Sequence, residues 1–146
     1  MTKKMASPEY SAQTYVNGEW QQGSPPILST NMHAMWLSSI VFDGARSIRG
    51  HMADLDRHCG RGNISAKILG MNPPHTAEEI EKLAREGVLR FPEDAELYIC
   101  PMYYAEDGFI TPDPDSTKFV LSIYEAPLPE PKGFRAIRSS FRRPSK

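Results

Sequence analysis

Residues 31–70 decide the fold, and they read NMHAMWLSSIVFDGARSIRGHMADLDRHCGRGNISAKILG. An apolar run over residues 35–42 ends in a tight Asp43-Gly44 step, and Arg46 follows it. Such a run beside a turn predicts a buried strand or a short apolar helix, and periodicity alone does not choose between them. We expect Arg46 at a strand end, where a rigid scaffold presents side chains to ligands.

The second half of this stretch predicts a helix over residues 55–69. Ile64 and Ile68 are four residues apart and would share one apolar face. Two glycines, Gly60 and Gly62, interrupt the pattern, and each costs about 1 kcal/mol against alanine inside a helix. They indicate either local irregularity or close packing, and they would let Arg61 between them approach a phosphate closely.

The rest of the chain predicts strands and one more helix. Asn17-Gly18 favours a type I′ hairpin turn, and Thr76 with Glu79 forms a capping box that opens the second helix. Further strands are predicted around residues 27–28, 96–104, 118–124 and 134–141, with a loop over 105–116. The fold class is therefore α+β, with a mostly antiparallel sheet and two helices. We assign residues 1–11 to a loose leader, 12–141 to the domain and 142–146 to the start of a connection.

Composition argues against several classes of function. The formal net charge of −1 gives no general attraction to nucleic acid or to an anionic membrane. No apolar run approaches the length of a membrane-spanning helix. The two cysteines, Cys59 and Cys100, are far apart and lack the spacing of metal ligands. The chain is therefore expected to be cytoplasmic, with free thiols, no metal, and no nucleic-acid or membrane partner.

Three motifs occur in a defined order. His33-Ala34 precedes Phe42-Asp43-Gly44-Ala45-Arg46, which is followed by His58-x-x-Arg61 and Ser65-Ala66. This order resembles the fold-type IV, or class IV, pyridoxal-phosphate-dependent aminotransferases, and most of all the branched-chain amino-acid group. That family has F-E-G-x-R, then H-x-x-R-L, then S-A. The resemblance covers about the whole chain but only the small N-terminal α+β domain of a family member.

The resemblance implies a role for four residues. Arg61 would bind the phosphate of the cofactor, and the guanidinium group suits this role because it is planar, always charged and able to fork onto two oxygens. Phe42, Arg46 and Tyr98 would line the substrate pocket. The alternatives are an ordinary surface arginine for Arg61, a core position for Phe42, and a strand cap or an ion pair with Asp43 for Arg46.

The sequence departs from the family at one pocket position. The branched-chain group has Y-I-R-P, whose arginine meets a substrate carboxylate, whereas this chain has Tyr98-Ile99-Cys100-Pro101. A neutral thiol makes no bidentate contact with a carboxylate. We found no Ser, Cys or Asp partner pattern for His58, which is accordingly interpreted as structural.

No residue of this chain matches the lysine that bonds covalently to pyridoxal phosphate in the family. Matching residues 139–143, which read SSFRR, to the S-S-x-x-R stretch of the family places that lysine beyond Lys146, together with a second domain, so this chain alone is expected to be inactive. The parent protein would transfer an amino group between an aliphatic amino acid and a 2-oxo acid, as a homodimer. The alternatives are a non-catalytic oligomerisation domain, a D-amino-acid transaminase, an (R)-amine transaminase and an aminodeoxychorismate lyase.

Overall fold

The computed structural model describes residues 11–142. Within this range the chain forms three α-helices, one short 3₁₀-helix and six strands, in the order β1 (Ala12–Val16), β2 (Glu19–Gln22), α1 (His33–Leu37), β3 (Ile40–Phe42), β4 (Ala45–Ile48), α2 (Leu55–Ile68), α3 (Ala77–Val88), β5 (Glu96–Ala105), the 3₁₀-helix (Pro114–Ser116) and β6 (Thr117–Glu125). The predicted α+β class is confirmed, and α1 is an additional short helix. Most of the predicted leader, residues 1–10, and residues 143–146 with Lys146 lie outside the described part.

All pairings within the described sheet are antiparallel. The strands follow the order β2-β1-β6-β5, and β3 and β4 both pair with the outer edge of β5. Phe42 lies opposite Met102, and Ala45 lies opposite Ile99, so three positions separate the two pairs on both sides. β3 and β4 therefore act as one edge strand that is interrupted at residues 43–44 without an inserted residue.

The local turn and cap signals are confirmed. Asn17 and Gly18 take φ values of 53° and 85°, the positive values that a type I′ turn requires. The hydroxyl of Thr76 accepts from the Glu79 N–H, and the Glu79 carboxylate accepts from the Thr76 N–H. Both signals involve only neighbouring residues, which is why the sequence is sufficient to predict them.

The helices α2 and α3 cover one face of the sheet and bury the main core between them. α3 packs with Ile80, Ala84 and Gly87 inward, as its apolar stripe predicts. The buried side of α2 differs from the prediction, because Ile64 and Ile68 are exposed. It buries instead Leu55, Cys59, Gly62 and Ala66. Small side chains at this spacing let α2 lie close to the sheet.

The apolar run over residues 35–42 is neither wholly strand nor wholly helix. α1 ends at Ser38, which has a φ of 56°, and β3 begins two residues later. The expectation of burial is wrong, since Met35, Trp36, Leu37 and Phe42 are all exposed. The cause is that α1, Ile40 and Phe42 lie on the side of the sheet that α2 and α3 do not cover, whereas Val41 faces the main core.

Two predicted strands are absent from the described residues. The 27–28 segment is a loop after Pro25-Pro26, although Ile27 still packs against Val16 and Tyr104. Prolines lack the N–H that a sheet ladder needs. The 134–141 segment is irregular and unpaired, and its apolar side chains are exposed. Alternation alone does not make a strand without a neighbour to receive its hydrogen bonds.

No helix among residues 11–142 is long and apolar enough to cross a bilayer.

Candidate functional site

The sheet surface opposite α2 and α3, which we call the open face, carries three of the predicted site residues. Side chains alternate along a strand, so Phe42 and Arg46 on the edge strand point to the same side. Arg46 lies directly opposite Tyr98 on β5, and Tyr98 lies opposite Tyr124 on β6. Phe42 is 65% exposed at the outer edge of this row. The open face therefore brings these residues together on one accessible surface.

Gly44 supports the tyrosine of this surface. The phenol of Tyr98 lies directly over the Gly44 Cα, where a Cβ would overlap the hydroxyl and the adjacent ring carbon. The Tyr98 ring also contacts Tyr124, with ring centroids 5.5 Å apart and an interplanar angle of 42°. A glycine at this interruption is thus needed for close approach of a side chain.

Arg46 is held by the chain that leaves the sheet. Its Nη1 donates to the carbonyl oxygen of Ala126 at 2.7 Å, just after the end of β6. The alternative pairing of Arg46 with Asp43 does not occur, because the two side chains lie on opposite faces of the same strand. Arg46 remains half-buried next to Tyr98.

The helix-covered side of the interruption holds a second cluster around Asp43. Its Oδ2 accepts from Arg61 Nε at 2.6 Å, and its Oδ1 accepts from Arg61 Nη2 at 2.8 Å and from the Gly44 N–H at 2.7 Å. His58 Nδ1 lies 2.7 Å from the same Oδ1. Because an ionised carboxylate only accepts, this contact requires the proton on Nδ1. His58 Nδ1 then has no lone pair for Arg61 Nη2, which lies 2.9 Å away.

The charges of this cluster favour its ionised form. Burial disfavours the charged carboxylate of Asp43, but hydrogen bonds from Arg61, His58 and the Gly44 N–H outweigh this effect and hold its pKa below the ordinary value. The hydrogen bond with Asp43 raises the pKa of Arg61. The pair thus stays ionised at neutral pH. Within residues 11–142 no three His, Cys, Asp or Glu side chains are placed to hold a metal ion.

The structure separates the predicted site residues into two groups. Phe42, Arg46 and Tyr98 share the open face, whereas Arg61 lies on α2 and contacts the residue between Phe42 and Gly44. Sequence analysis missed Asp43 as a site residue, and it left His58 without the aspartate partner that the structure shows. The spacing of His58 and Arg61 could have indicated a shared partner, because residues i and i+3 of a helix lie on the same side.

Cys100 lies on the open face between Tyr98 and Met102. Its register partners are Ser122 on β6 and, by continuation of the β4 register, Gly44 on the edge strand. Burial raises the pKa of the Cys100 thiol to about 11, and the negative charge of Asp43 adds to this effect. The residue is therefore neutral at physiological pH and adds no charge to the open face.

Comparison with known proteins shows the family of the chain. The family described as "Amino-transferase class IV" matches residues 40–146, which include the whole of the Asp43–Arg61 cluster and the open-face row. The chain belongs to the class IV aminotransferase family. A probable branched-chain-amino-acid aminotransferase of Rickettsia felis is 30% identical over 122 residues, covering 82% of this chain and 42% of that protein.

Solved structures of the family share the fold. An aminotransferase from Brucella abortus, solved bound to the cofactor pyridoxal phosphate, is 47% identical with a TM-score of 0.87, over 92% of this chain and 49% of that one. A branched-chain aminotransferase from Thermoproteus uzoniensis, solved with norvaline, is 26% identical with a TM-score of 0.67, over 82% and 41% of the two chains. This class IV aminotransferase chain thus spans less than half the length of the relatives it matches.

Proposed function

We propose that this chain is the cofactor-phosphate and substrate-side half of a pyridoxal-phosphate-dependent aminotransferase that moves an amino group between an aliphatic amino acid and a 2-oxo acid. The observation that carries the proposal is the arrangement at residues 43–44. A fixed arginine lies on one side of the edge strand, and an aromatic, accessible surface lies on the other. The 47% identity to an aminotransferase solved with pyridoxal phosphate supports the choice of cofactor.

The donor chemistry of Arg61 fits a phosphate. Its side chain is 60% exposed, and Asp43 occupies only the edge formed by Nε and Nη2. The adjacent edge, formed by Nη1 and Nη2, has the planar fork that binds two phosphate oxygens. When bound, pyridoxal phosphate supplies an electron sink for the bond broken at the amino acid α-carbon. We propose that the covalent lysine is not among residues 1–146, so that these residues alone are inactive.

The open face supports an aliphatic substrate. Phe42, Tyr98 and Met102 offer apolar and aromatic contacts, while the neutral Cys100 offers no cation to a distal carboxylate. Arg46, already bonded to Ala126, borders this surface and is proposed to help shape the pocket. We infer that the amino donor is a branched or straight aliphatic amino acid in the cytoplasm.

Self-association of the domain is a second proposal, and it is compatible with the first. α1 and the loop after β5 expose apolar side chains, and Trp36, Leu37, Phe109 and Ile110 among them line one surface depression. A contiguous apolar surface of this kind is typical of an interface. We propose a homodimer that covers these side chains.

The central experiment compares three arginine variants in the parent protein with its second domain. Arg61→Ala removes a charge-assisted contact worth about 1.5–3 kcal/mol, so the Kd for pyridoxal phosphate should rise about ten-fold to a hundred-fold. Arg46→Ala should change substrate affinity and leave cofactor affinity nearly unchanged. Arg57→Ala is the matched control, because Arg57 lies one turn earlier on α2 and, among residues 11–142, forms an ion pair with Asp54 alone. Wild-type cofactor affinity in Arg61→Ala would refute the phosphate assignment.

A further inference from the structure

Asp43 is a buried charged residue, with 8% of its surface exposed, at the point where the edge strand is interrupted. It accepts hydrogen bonds from two sides, from the Gly44 N–H within the strand and from His58 and Arg61 on α2. Such a carboxylate is held in one orientation by the backbone and the imidazole, so that it presents its remaining acceptor positions to the arginine.

The position of α2 beside the edge strand makes this reach possible. Gly62 is buried, and a Cβ at this position would lie 3.9 Å from the Asp43 Cβ. A methyl group at this position would make only an ordinary contact with Asp43. The nearness of α2 to the strand nevertheless puts Arg61, one residue earlier, within reach of a short aspartate. The structure therefore does not show the close packing that was one interpretation of the two helix glycines, since a Cβ at Gly60 meets nothing within 4 Å either.

The contact with Asp43 uses one edge of the Arg61 guanidinium. The carboxylate accepts from Nε at 2.6 Å and from Nη2 at 2.8 Å, which is a bidentate contact along the side of the group. Within the described part of the chain, no hydrogen bond engages Nη1. The end of the guanidinium that carries Nη1 consequently points away from the carboxylate in a fixed direction, while Nη2 lies 2.9 Å from His58 Nδ1.

We propose that Asp43 is the positioning residue that orders Arg61 before a phosphate binds, an inference that rests on the proposed function of Arg61. An arginine that is 60% exposed on a helix otherwise loses side-chain freedom when it binds an anion. The Asp43 contact removes that freedom in advance. Asp43 also adds negative charge near the phosphate, but the guanidinium lies between the two and solvent screens the remainder. Ordering is therefore the larger effect.

The first test needs no ligand. ¹⁵N–¹H NMR of the 146-residue chain should show a shifted, exchange-protected Nε–H for Arg61. That signal should lose its shift and protection in Asp43→Asn and regain them at least partly in Asp43→Glu, which restores the charge. Arg57 Nε–H is the internal control, since Arg57 lies away from Asp43. An unchanged Arg61 signal in Asp43→Asn would overturn the proposal.

The second test is a double-mutant cycle that measures the binding of pyridoxal phosphate to the same chain. Binding is monitored by ³¹P NMR with the chain at millimolar concentration. Asp43→Asn should weaken binding by about three- to ten-fold, the cost of ordering one long side chain. In the Arg61→Ala background the same change should have no effect, because Asp43 acts through Arg61. An equal loss in both backgrounds indicates a merely structural role and overturns the inference, as does unchanged or tighter binding by Asp43→Asn.

The two tests separate the failure of each idea. If Arg61→Ala binds the probe as well as wild type does, the phosphate role of Arg61 is wrong and so is the ordering role of Asp43 toward a phosphate. The NMR signal of Arg61 Nε–H then still decides whether Asp43 holds the arginine. If Arg61→Ala weakens binding and Asp43→Asn does not, only the positioning inference fails.

Discussion

Gly44→Ala should destabilise the domain through one contact on the open face. Gly44 is not among the glycines with positive φ, so its backbone conformation accepts an alanine. The added Cβ would occupy the space of the Tyr98 hydroxyl and its ring carbon Cζ. The phenol must therefore swing outward, and the ring contact between Tyr98 and Tyr124 is lost or weakened.

The magnitude follows from these two changes. Forcing Tyr98 off its rotamer costs about 0.5–1.5 kcal/mol. Losing the ring pair costs about 0.5–1.5 kcal/mol more. Against this, alanine restricts the unfolded chain and stabilises by about 0.4–1 kcal/mol. The net loss in the free energy of unfolding should be about 0.5–2 kcal/mol.

Urea unfolding of four variants tests this reasoning. Gly60→Ala is the matched control, because a Cβ at Gly60 meets nothing within 4 Å and the residue lies inside α2. It should stabilise the chain, by up to about 1 kcal/mol. In a Tyr98→Ala background the penalty of Gly44→Ala should disappear. The explanation fails if Gly44→Ala is as stable as wild type, or if its penalty persists without the tyrosine.

Two further predictions concern acid and self-association. The folded-state pKa of Asp43 is depressed, so its stabilising contribution is present above the ordinary value of 3.8 and is lost as the pH falls further. The free energy of unfolding of wild type should accordingly exceed that of Asp43→Asn at pH 6, with a gap that narrows toward pH 2 in urea titrations; a constant gap would contradict the pairing. The chain should self-associate in sedimentation velocity, and Trp36→Ser or Phe109→Ser should weaken this while the exposed control Ile68→Ser does not. A monomer at every concentration would exclude it.

The elements that the sequence predicts correctly are those with local causes. The hairpin at Asn17-Gly18 depends on two backbone conformations, and the start of α3 depends on the reciprocal Thr76–Glu79 bonds. Strands β5 and β6 have enough β-branched and aromatic residues to be predicted without knowledge of their neighbours. In each of these cases the stabilising contact involves nearby residues or a strong propensity.

The wrong predictions share a different cause, which is that the burial of a side chain depends on the element that packs against it. Ile64 and Ile68 have helical spacing, but α2 turns its small residues to the sheet instead. The 134–141 segment alternates like a strand, yet no described strand lies beside it. Periodicity predicts which residues share a side, but only the packing partners decide which side is covered.

The two sides of the candidate site follow from the alternation of side chains along a single edge strand. Positions 42, 44 and 46 face the open side, where Phe42 and Arg46 flank the glycine on which Tyr98 rests, and position 43 faces α2. One residue therefore separates the proposed substrate surface from the carboxylate that holds Arg61. Because β3 and β4 keep one register across the interruption, inserting a single residue there would turn one half of the strand over relative to the other. The spacing of Phe42, Gly44 and Arg46 is thus a requirement of the two-sided site, and Asp43 is the position that connects its sides.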